Sequence, residues 1–310
     1  MSTVTQPLAI PRWPLSLVRD YAELVKLRVT TLVMMTAWCG YYFGRVQSGV
    51  PSFSWGLFHV LAGIGLIAGG TAALNEVMEF DIDRRMRRTA QRPLPSGRMS
   101  RLHATIAGTA MTLGGALYLG FAMNLLTGWL ALATGLVYLA AYTPLKKIHP
   151  ICTFVGAFPG AMPGVLGWTA ARGRLEWGAL AMFAIVFVWQ FPHFYSIAWL
   201  YREDYAAGSI RMLPVVESDG RSTARQIVAY SVALIPITFA PTFLGLAGKV
   251  YFVAALALGL ALLYIGLRLA TLDAPITAAV SKKYARQLLQ ATVIYLPLLF
   301  IVMMLDTVSS

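Results

Sequence analysis

Residues Asn75 to Gly97 read NEVMEFDIDRRMRRTAQRPLPSG and follow directly on the apolar run HVLAGIGLIAGGTAAL (59–74). Four acids and five arginines fall within eighteen residues, at the end of a hydrophobic helix. Each α-helical residue turns about 100°, so Asn75, Glu79 and Asp83, spaced by four, drift by only about 80° and form one polar stripe. Asp81 falls off that stripe. Three oxygen-bearing side chains on one face suit a hard cation such as Mg²⁺. That ion takes one or two carboxylates and completes its shell with water and substrate phosphate. Arg84, Arg85, Arg87, Arg88 and Arg92 follow, and guanidinium groups grip phosphate oxygens two at a time. Acids beside arginines balance once a metal ion and a diphosphate stand between them. The competing reading makes the arginines a topology signal and the acids their ion-pair partners.

The surroundings favour a membrane. Of 310 residues, 58% are hydrophobic and 12% charged, where a soluble globular chain carries about 25% charged. The deficit marks an integral membrane protein. Its net charge of +12 then reports topology and not nucleic-acid binding, because cytoplasmic loops accumulate Lys and Arg. A membrane-crossing helix needs about 20 mostly apolar residues. Nine runs qualify: 24–44, 58–80, 103–123, 126–143, 151–171, 177–200, 224–246, 249–270 and 287–305. With the N-terminus inside, only Arg45, Arg172, Arg174 and Lys249 lie outside, which leaves 21 of the 25 basic residues on the cytoplasmic side. The expectation is an all-α integral membrane protein of nine transmembrane helices, N-terminus cytoplasmic and C-terminus outside. It forms a single membrane-embedded domain over 1–310, with 1–22 as an N-terminal cytoplasmic segment. That segment shows no signal-peptide core and too little arginine for an organelle presequence, which predicts a bacterial cell membrane. Cys39 and Cys152 read as small core residues, since no disulfide or metal spacing joins them.

Eight of the 13 acids (Glu76, Glu79, Asp81, Asp83, Glu203, Asp204, Glu217 and Asp219) lie in or beside the loops after the second and sixth predicted helices. Negative charge does nothing for topology, so this concentration points to chemistry. His193 lies beside Gln190 within a predicted span, and an intramembrane ionisable group is a functional candidate by default. An interhelical hydrogen bond is the plainer alternative. Pro192 is expected to bend that helix. His59, His103 and His149 sit at span ends and read as interface residues. Only the fifth helix, with GAFPGAMPGVLGW (156–168), looks broken; the same run would also permit close helix packing or a cavity.

These residues resemble the UbiA superfamily of membrane prenyltransferases, whose first motif has the form Asn-x₃-Asp-x₃-Asp, and within it the protohaem IX farnesyltransferase (haem O synthase) branch. The run DRRMRRTAQRPLPSG (83–97) carries the resemblance, together with VKLRVT (25–30), YTPLKK (142–147) and FVWQFPHFYSIAWLYREDYAAG (187–208). Two positions depart from the pattern. Glu79 stands where the superfamily has Asp, and Gly208 stands four residues after Asp204, so the second Asp-x₃-Asp motif is incomplete.

The resemblance implies a UbiA-like helix bundle, farnesyl diphosphate as donor, haem B as acceptor and Mg²⁺ as cofactor. It assigns the metal and catalytic roles to Asn75, Glu79, Asp83 and Asp204. Diphosphate falls to Arg88, Arg92, Lys146, Lys147, Lys26, Arg28 and Arg202, and haem to His193 and Gln190. Tyr142, Tyr195 and Tyr205 are candidates to face the allylic cation, which aromatic faces stabilise. A haem A synthase or a terminal oxidase would receive the product. The nearest rival keeps the chemistry and takes a quinone precursor or other aromatic acceptor. A transporter is the more distant one, disfavoured because almost all charges lie at the cytoplasmic helix ends, not at the bilayer midplane.

Overall fold

The computed structural model describes residues 14–51 and 53–308. Most of the N-terminal segment expected over 1–22 therefore lies outside the described residues. Every element of regular structure among the described residues is helical, apart from one isolated β-bridge between Ala247 and Thr307. A short helix α1 (Pro14–Leu24) leads into nine long rods: α2 (Leu27–Val46), α3 (Trp55–Met78), α4 (Arg101–Ala122), α5 (Leu125–Leu145), α6 (Cys152–Arg172), α7 (Trp177–Leu200), α8 (Arg221–Phe243), α9 (Lys249–Ala270) and α10 (Ala279–Leu305). Seven of these, α3, α4, α5, α7, α8, α9 and α10, are long and apolar enough to cross a membrane. The chain is a multi-pass membrane protein.

The two long helices outside that set, α2 and α6, owe their lower hydropathy to their packing. Helix α2 carries Thr30, Thr31 and Thr36, and α6 carries four glycines and two prolines. The two rods lie backbone to backbone. A Cβ on Gly40 would collide with the Gly164 carbonyl, and one on Gly167 with the carbonyl of Ala37. Lipid tails are as apolar as leucine, so helices in a membrane associate by van der Waals fit, and small residues permit that approach. The break expected in α6 does not occur. The helix runs unbroken through Pro159 and Pro163, and Gln190 Nε2 donates to its Ala157 carbonyl at 3.0 Å. Pro192 likewise lies inside a continuous α7.

Packing gathers the rods into two main groups. Ile64 and Ile67 of α3 pack with Leu119 of α4, Ala131 of α5 and Leu166 of α6. A larger core joins α6 to α10 through Trp168, Met182, Phe191, Ile227, Leu262 and Leu299. Cys39 and Cys152 are free and buried, as expected of small core residues. Helix caps close two turns: Ser100 Oγ accepts from the His103 N–H at 3.2 Å and Asn124 Oδ1 from the Thr127 N–H at 2.9 Å, the usual answer to unsatisfied donors at a helix start.

Candidate active site

Helix α3 ends at Met78, yet its hydrogen bonding runs on. The Glu79 N–H reaches the Asn75 carbonyl at 2.9 Å, and the Asp83 N–H reaches the Glu79 carbonyl at 2.8 Å. The four-residue register is thereby kept into the short helix Phe80–Asp83, and Asn75, Glu79 and Asp83 all face one cavity of about 380 Å³. All three are buried. Asp81, off the stripe, is exposed and pairs with Arg101 at 3.4 Å.

Each member of the stripe has a basic partner from another element. Lys26 Nζ donates to Asn75 Oδ1 at 2.7 Å, Lys146 Nζ to Glu79 Oε1 at 2.7 Å, and Arg92 to Asp83 Oδ2 at 2.7 Å. Lys26 reaches in because it sits between α1 and α2 in the left-handed conformation, φ 48°. Lys146 arrives at the foot of α5, in which a π-helical turn, Tyr138–Tyr142, precedes the closing α-helical residues Thr143–Leu145. Thr143 Oγ1 donates to the Tyr138 carbonyl at 2.9 Å and accepts from Asn75 Nδ2 at 3.2 Å, tying that turn to the stripe.

The charges tune one another. Burial alone would raise the Glu79 carboxyl, but Lys146 and Lys26 outweigh it and hold it below the usual carboxylate range. Burial and the Arg92 guanidinium bring the Lys26 ammonium down to about 7. Lys146 is held above the ordinary lysine range, because Tyr142 and Glu79 outweigh its burial. A buried cation is stable only when paired in this way.

The donor set fits a small hard cation. Two carboxylates and one amide face the cavity, and Asp83 Oδ1 is fully buried without a hydrogen-bond partner. Two carboxylates suffice for Mg²⁺ when substrate phosphates and water complete the shell. Among the described residues, no group of three or more His, Cys, Asp or Glu side chains forms a metal cluster.

From this charged end the cavity runs between apolar walls, past Val33, Ile67 and Leu166 to Ile64. Ile64 lies eleven residues before Asn75 on α3, about 16 Å along the axis. The small residues of α6 that looked like a break, among them Gly156, Pro159, Gly160 and Pro163, form one wall. Gln190 lines the cavity as well, with Oε1 against Gly160.

Other expected residues lie elsewhere. Arg28 and Lys147 are exposed and do not line the cavity. Arg28 sits two residues past Lys26, and Lys147 one past Lys146, so the helical turn carries both away. Arg202 donates to the Pro214 carbonyl at 2.6 Å and lines a separate cleft with Trp199 and Asp219. Asp204 stands outside the cavity too, because the short helix Arg202–Ala207 turns Tyr205 inward instead. Arg88 lines the cavity, with its guanidinium over the rings of Tyr201 and Tyr205 at 5.1 and 5.7 Å. Tyr142 lines it as expected, and so does Tyr205, but Tyr195 is buried in the α6–α10 core.

His193 faces α10 rather than the cavity. His59 pairs with Tyr118 at 2.6 Å, His103 with Tyr21, and His149 accepts from the Ile151 N–H at 3.1 Å. Tyr138, Thr143 and the anchoring Glu76 join the site beyond what the sequence pattern predicts. Tyr138 could have been found four residues before Tyr142, on the same helix face. Glu76 Oε1 accepts from the Leu94 N–H at 3.1 Å and so fastens the arginine loop to α3.

Residues 32–305 match the UbiA prenyltransferase family. The chain belongs to that family. Along its length this UbiA chain is similar to the protein named protoheme IX farnesyltransferase from Koribacter versatilis (strain Ellin345), at 64% identity over 307 residues covering 99% of each chain. Two solved structures share the fold. One, described for digeranylgeranylglyceryl phosphate synthase, has a TM-score of 0.74 at 16% identity and covers 93% of this chain and 98% of that one. The other, a UbiA homolog from Archaeoglobus fulgidus bound to GPP and Mg²⁺, has a TM-score of 0.61 at 17% identity, with 92% and 99% covered.

Proposed function

We propose that this protein transfers the farnesyl group of farnesyl diphosphate to a vinyl group of haem B, giving haem O and diphosphate. The observation that carries the reading is 64% identity, end to end, to a protein named for that reaction. The cavity agrees with it: a buried charged end for diphosphate and an apolar length for the isoprenoid. Asn75, Glu79 and Asp83 are the residues that would hold Mg²⁺, an ion bound with GPP in the Archaeoglobus fulgidus homolog. When bound, that ion supplies Lewis-acid polarisation of the leaving diphosphate.

Breaking an allylic C–O bond leaves negative charge on diphosphate and positive charge on the prenyl carbons. Lys146, Arg88 and Arg92 place fixed positive charge at the first, where it stabilises the transition state more than the ground state, and Lys26 adds a hydrogen-bond donor beside Asn75. Tyr138 and Tyr142 line the same end of the cavity, and their ring faces suit the second. The haem vinyl group attacks, and water completes the hydroxyethylfarnesyl product. Arg28, Lys147, Arg202 and Asp204 do not line the cavity and are given no part in this reading.

In this reading the chain is one domain crossing a bacterial cell membrane nine times, α2 and α6 included, with its N-terminus cytoplasmic and its C-terminus outside. The product supplies a haem A synthase or a haem-copper oxidase. The deciding experiment gives purified protein farnesyl diphosphate with either haem B or 4-hydroxybenzoate and reads product masses. A hydroxyethylfarnesyl gain on haem supports the proposal; prenylation of 4-hydroxybenzoate alone transfers the reading to a quinone precursor.

A further inference from the structure

Four helices meet where the cavity stops. On α2, α3, α5 and α6 the lining residues farthest from the charged end are Val33, Ile64, Ala131 and Leu166. All four pack into one apolar cluster, in which Ile64 is 2%, Leu166 3% and Ala131 0% exposed. The next members of that cluster on α2 and α3, Ala37 and Val60, lie deeper in the bundle and do not line the cavity. Beside Leu166 the way is shut by backbone, since a Cβ on Gly167 would collide with the Ala37 carbonyl. The exposed large apolar residue of the lining, Val29 at 57%, is at the charged end, one turn from Lys26. The apolar length of the cavity is therefore a blind end with a packed floor.

Its depth follows from helix rise. Eleven residues separate Asn75 from Ile64, about 16 Å of α3, and ten separate Gly156 from Leu166, about 15 Å of α6. A carbon chain with bonds of about 1.5 Å and angles of about 111° advances about 1.25 Å per bond when extended. An isoprene unit contributes four chain bonds, hence about 5 Å. Two units span about 10 Å, three about 15 Å and four about 20 Å. With its diphosphate at the stripe, a three-unit chain ends on Ile64 and Leu166. Two units leave apolar lining uncovered, and a fourth meets side chains that have no free space behind them.

We propose that Ile64 and Leu166, with Ala131 beside them, are the length gauge of the donor site, admitting three isoprene units and rejecting a fourth. The inference rests on a prenyl diphosphate being the donor. Donors of every length share the diphosphate end, so Lys146, Arg88 and Arg92 cannot tell them apart; the floor can.

The test titrates the purified full-length chain, in Mg²⁺ and without acceptor, with geranyl, farnesyl and geranylgeranyl diphosphate. The same donors are then compared in turnover with haem B. The wild type favours farnesyl over geranylgeranyl diphosphate at least about tenfold in affinity and in kcat/KM, the scale on which a closed apolar pocket rejects extra carbons. Ile64→Ala with Leu166→Ala removes three carbons at each site, together more than the five of an isoprene unit, and moves the preference to geranylgeranyl diphosphate. Ile64→Ala alone moves it part of the way. Ala131→Leu fills the floor from α5 and moves the preference the other way, to geranyl diphosphate. Geranyl diphosphate ends short of the floor, and its binding reports that the site above is formed.

A wild type indifferent to donor length overturns the gauge. So do variants that bind geranyl diphosphate while their preference among the three donors stays where it was. The two readings fail separately. A preference that follows the floor, with no farnesylated haem formed, removes the acceptor and keeps the gauge; haem O made by floor variants with unchanged donor preference does the reverse.

Discussion

Lys146 Nζ meets Glu79 Oε1 at 2.7 Å, and the two side chains are only 11% and 6% exposed. A charge pair so enclosed gains little net stability from its own attraction, but losing one partner strands the other. Lys146→Met is therefore expected to destabilise the protein by about 3–5 kcal/mol and to abolish diphosphate release. Adding Glu79→Leu removes the stranded charge and recovers much of the Tm without recovering turnover. Thermal melting beside a diphosphate assay separates the two effects; recovery of turnover in the double variant would sink the catalytic role.

Glu79→Gln and Asp83→Asn keep side-chain size and remove charge. Each should cut farnesyl transfer about 10²–10³-fold, the scale seen when one transition-state contact is lost. EDTA should stop the wild type, and added Mg²⁺ should restart it. Activity that survives chelation would exclude the metal role of the stripe.

Glu76 tests the loop anchor apart from the chemistry. Its Oε1 holds the Leu94 N–H, two residues past Arg92. Glu76→Gln keeps an accepting oxygen and should remain near wild type in stability. Glu76→Ala orphans the buried Leu94 N–H at a cost of about 1–3 kcal/mol, and should raise KM for the prenyl diphosphate more than it lowers kcat. Equal behaviour of the two variants would mean that the anchor is not what matters there.

Gly167 sets the contact of α2 with α6. In Gly167→Ala the added methyl collides with the Ala37 carbonyl, and backbone cannot swing aside as a long side chain can. A fall in Tm is expected, with α2 pushed off α6 and the cavity wall formed by Val33 and Pro163 disturbed. Gly114, where a Cβ meets nothing within 4 Å, is the control position and should accept alanine without loss.

At the opposite end of the bundle, Glu176 accepts from Arg172 Nε at 2.8 Å and from Trp168 Nε1 at 3.0 Å. Arg172 pulls its carboxyl down to about 2 from an ordinary 4.5. A depressed carboxylate contributes stability that is fully present above the unfolded value and is lost as pH falls toward the folded one. The Tm difference between wild type and Glu176→Gln should thus be constant above pH 5 and shrink between about 4.5 and 2. A difference that grows on acidification would contradict the assignment.

The stripe Asn75–Glu79–Asp83 was legible because a helix repeats, and only its continuation past Met78 had to be supplied by the structure. Arg28, Lys147 and Asp204 were not legible as outsiders. Each neighbours a residue that does reach the cavity, and one step along a helix is about 100° of rotation. Which of two adjacent side chains turns inward is settled by tertiary packing, and neither composition nor motif spacing encodes that. Helix α6 misled for a related reason. Proline and glycine punctuate structure in water, whereas here α6 runs on through both prolines and its small residues serve close contact with α2.

The π-helical turn at Tyr138–Tyr142 amounts to an α-helix with one residue spliced in. It works as a spacer: upstream of it α5 follows the isoprenoid wall at Ala131 and Gly135, and downstream it delivers Lys146 to Glu79. Because the widened turn absorbs its extra residue locally, excising one residue there should restore regular winding and leave Ala131, Gly135 and Lys146 in phase with one another. What the protein would lose is the swollen turn itself, and with it the setting of Tyr138 and Tyr142 on the cavity wall.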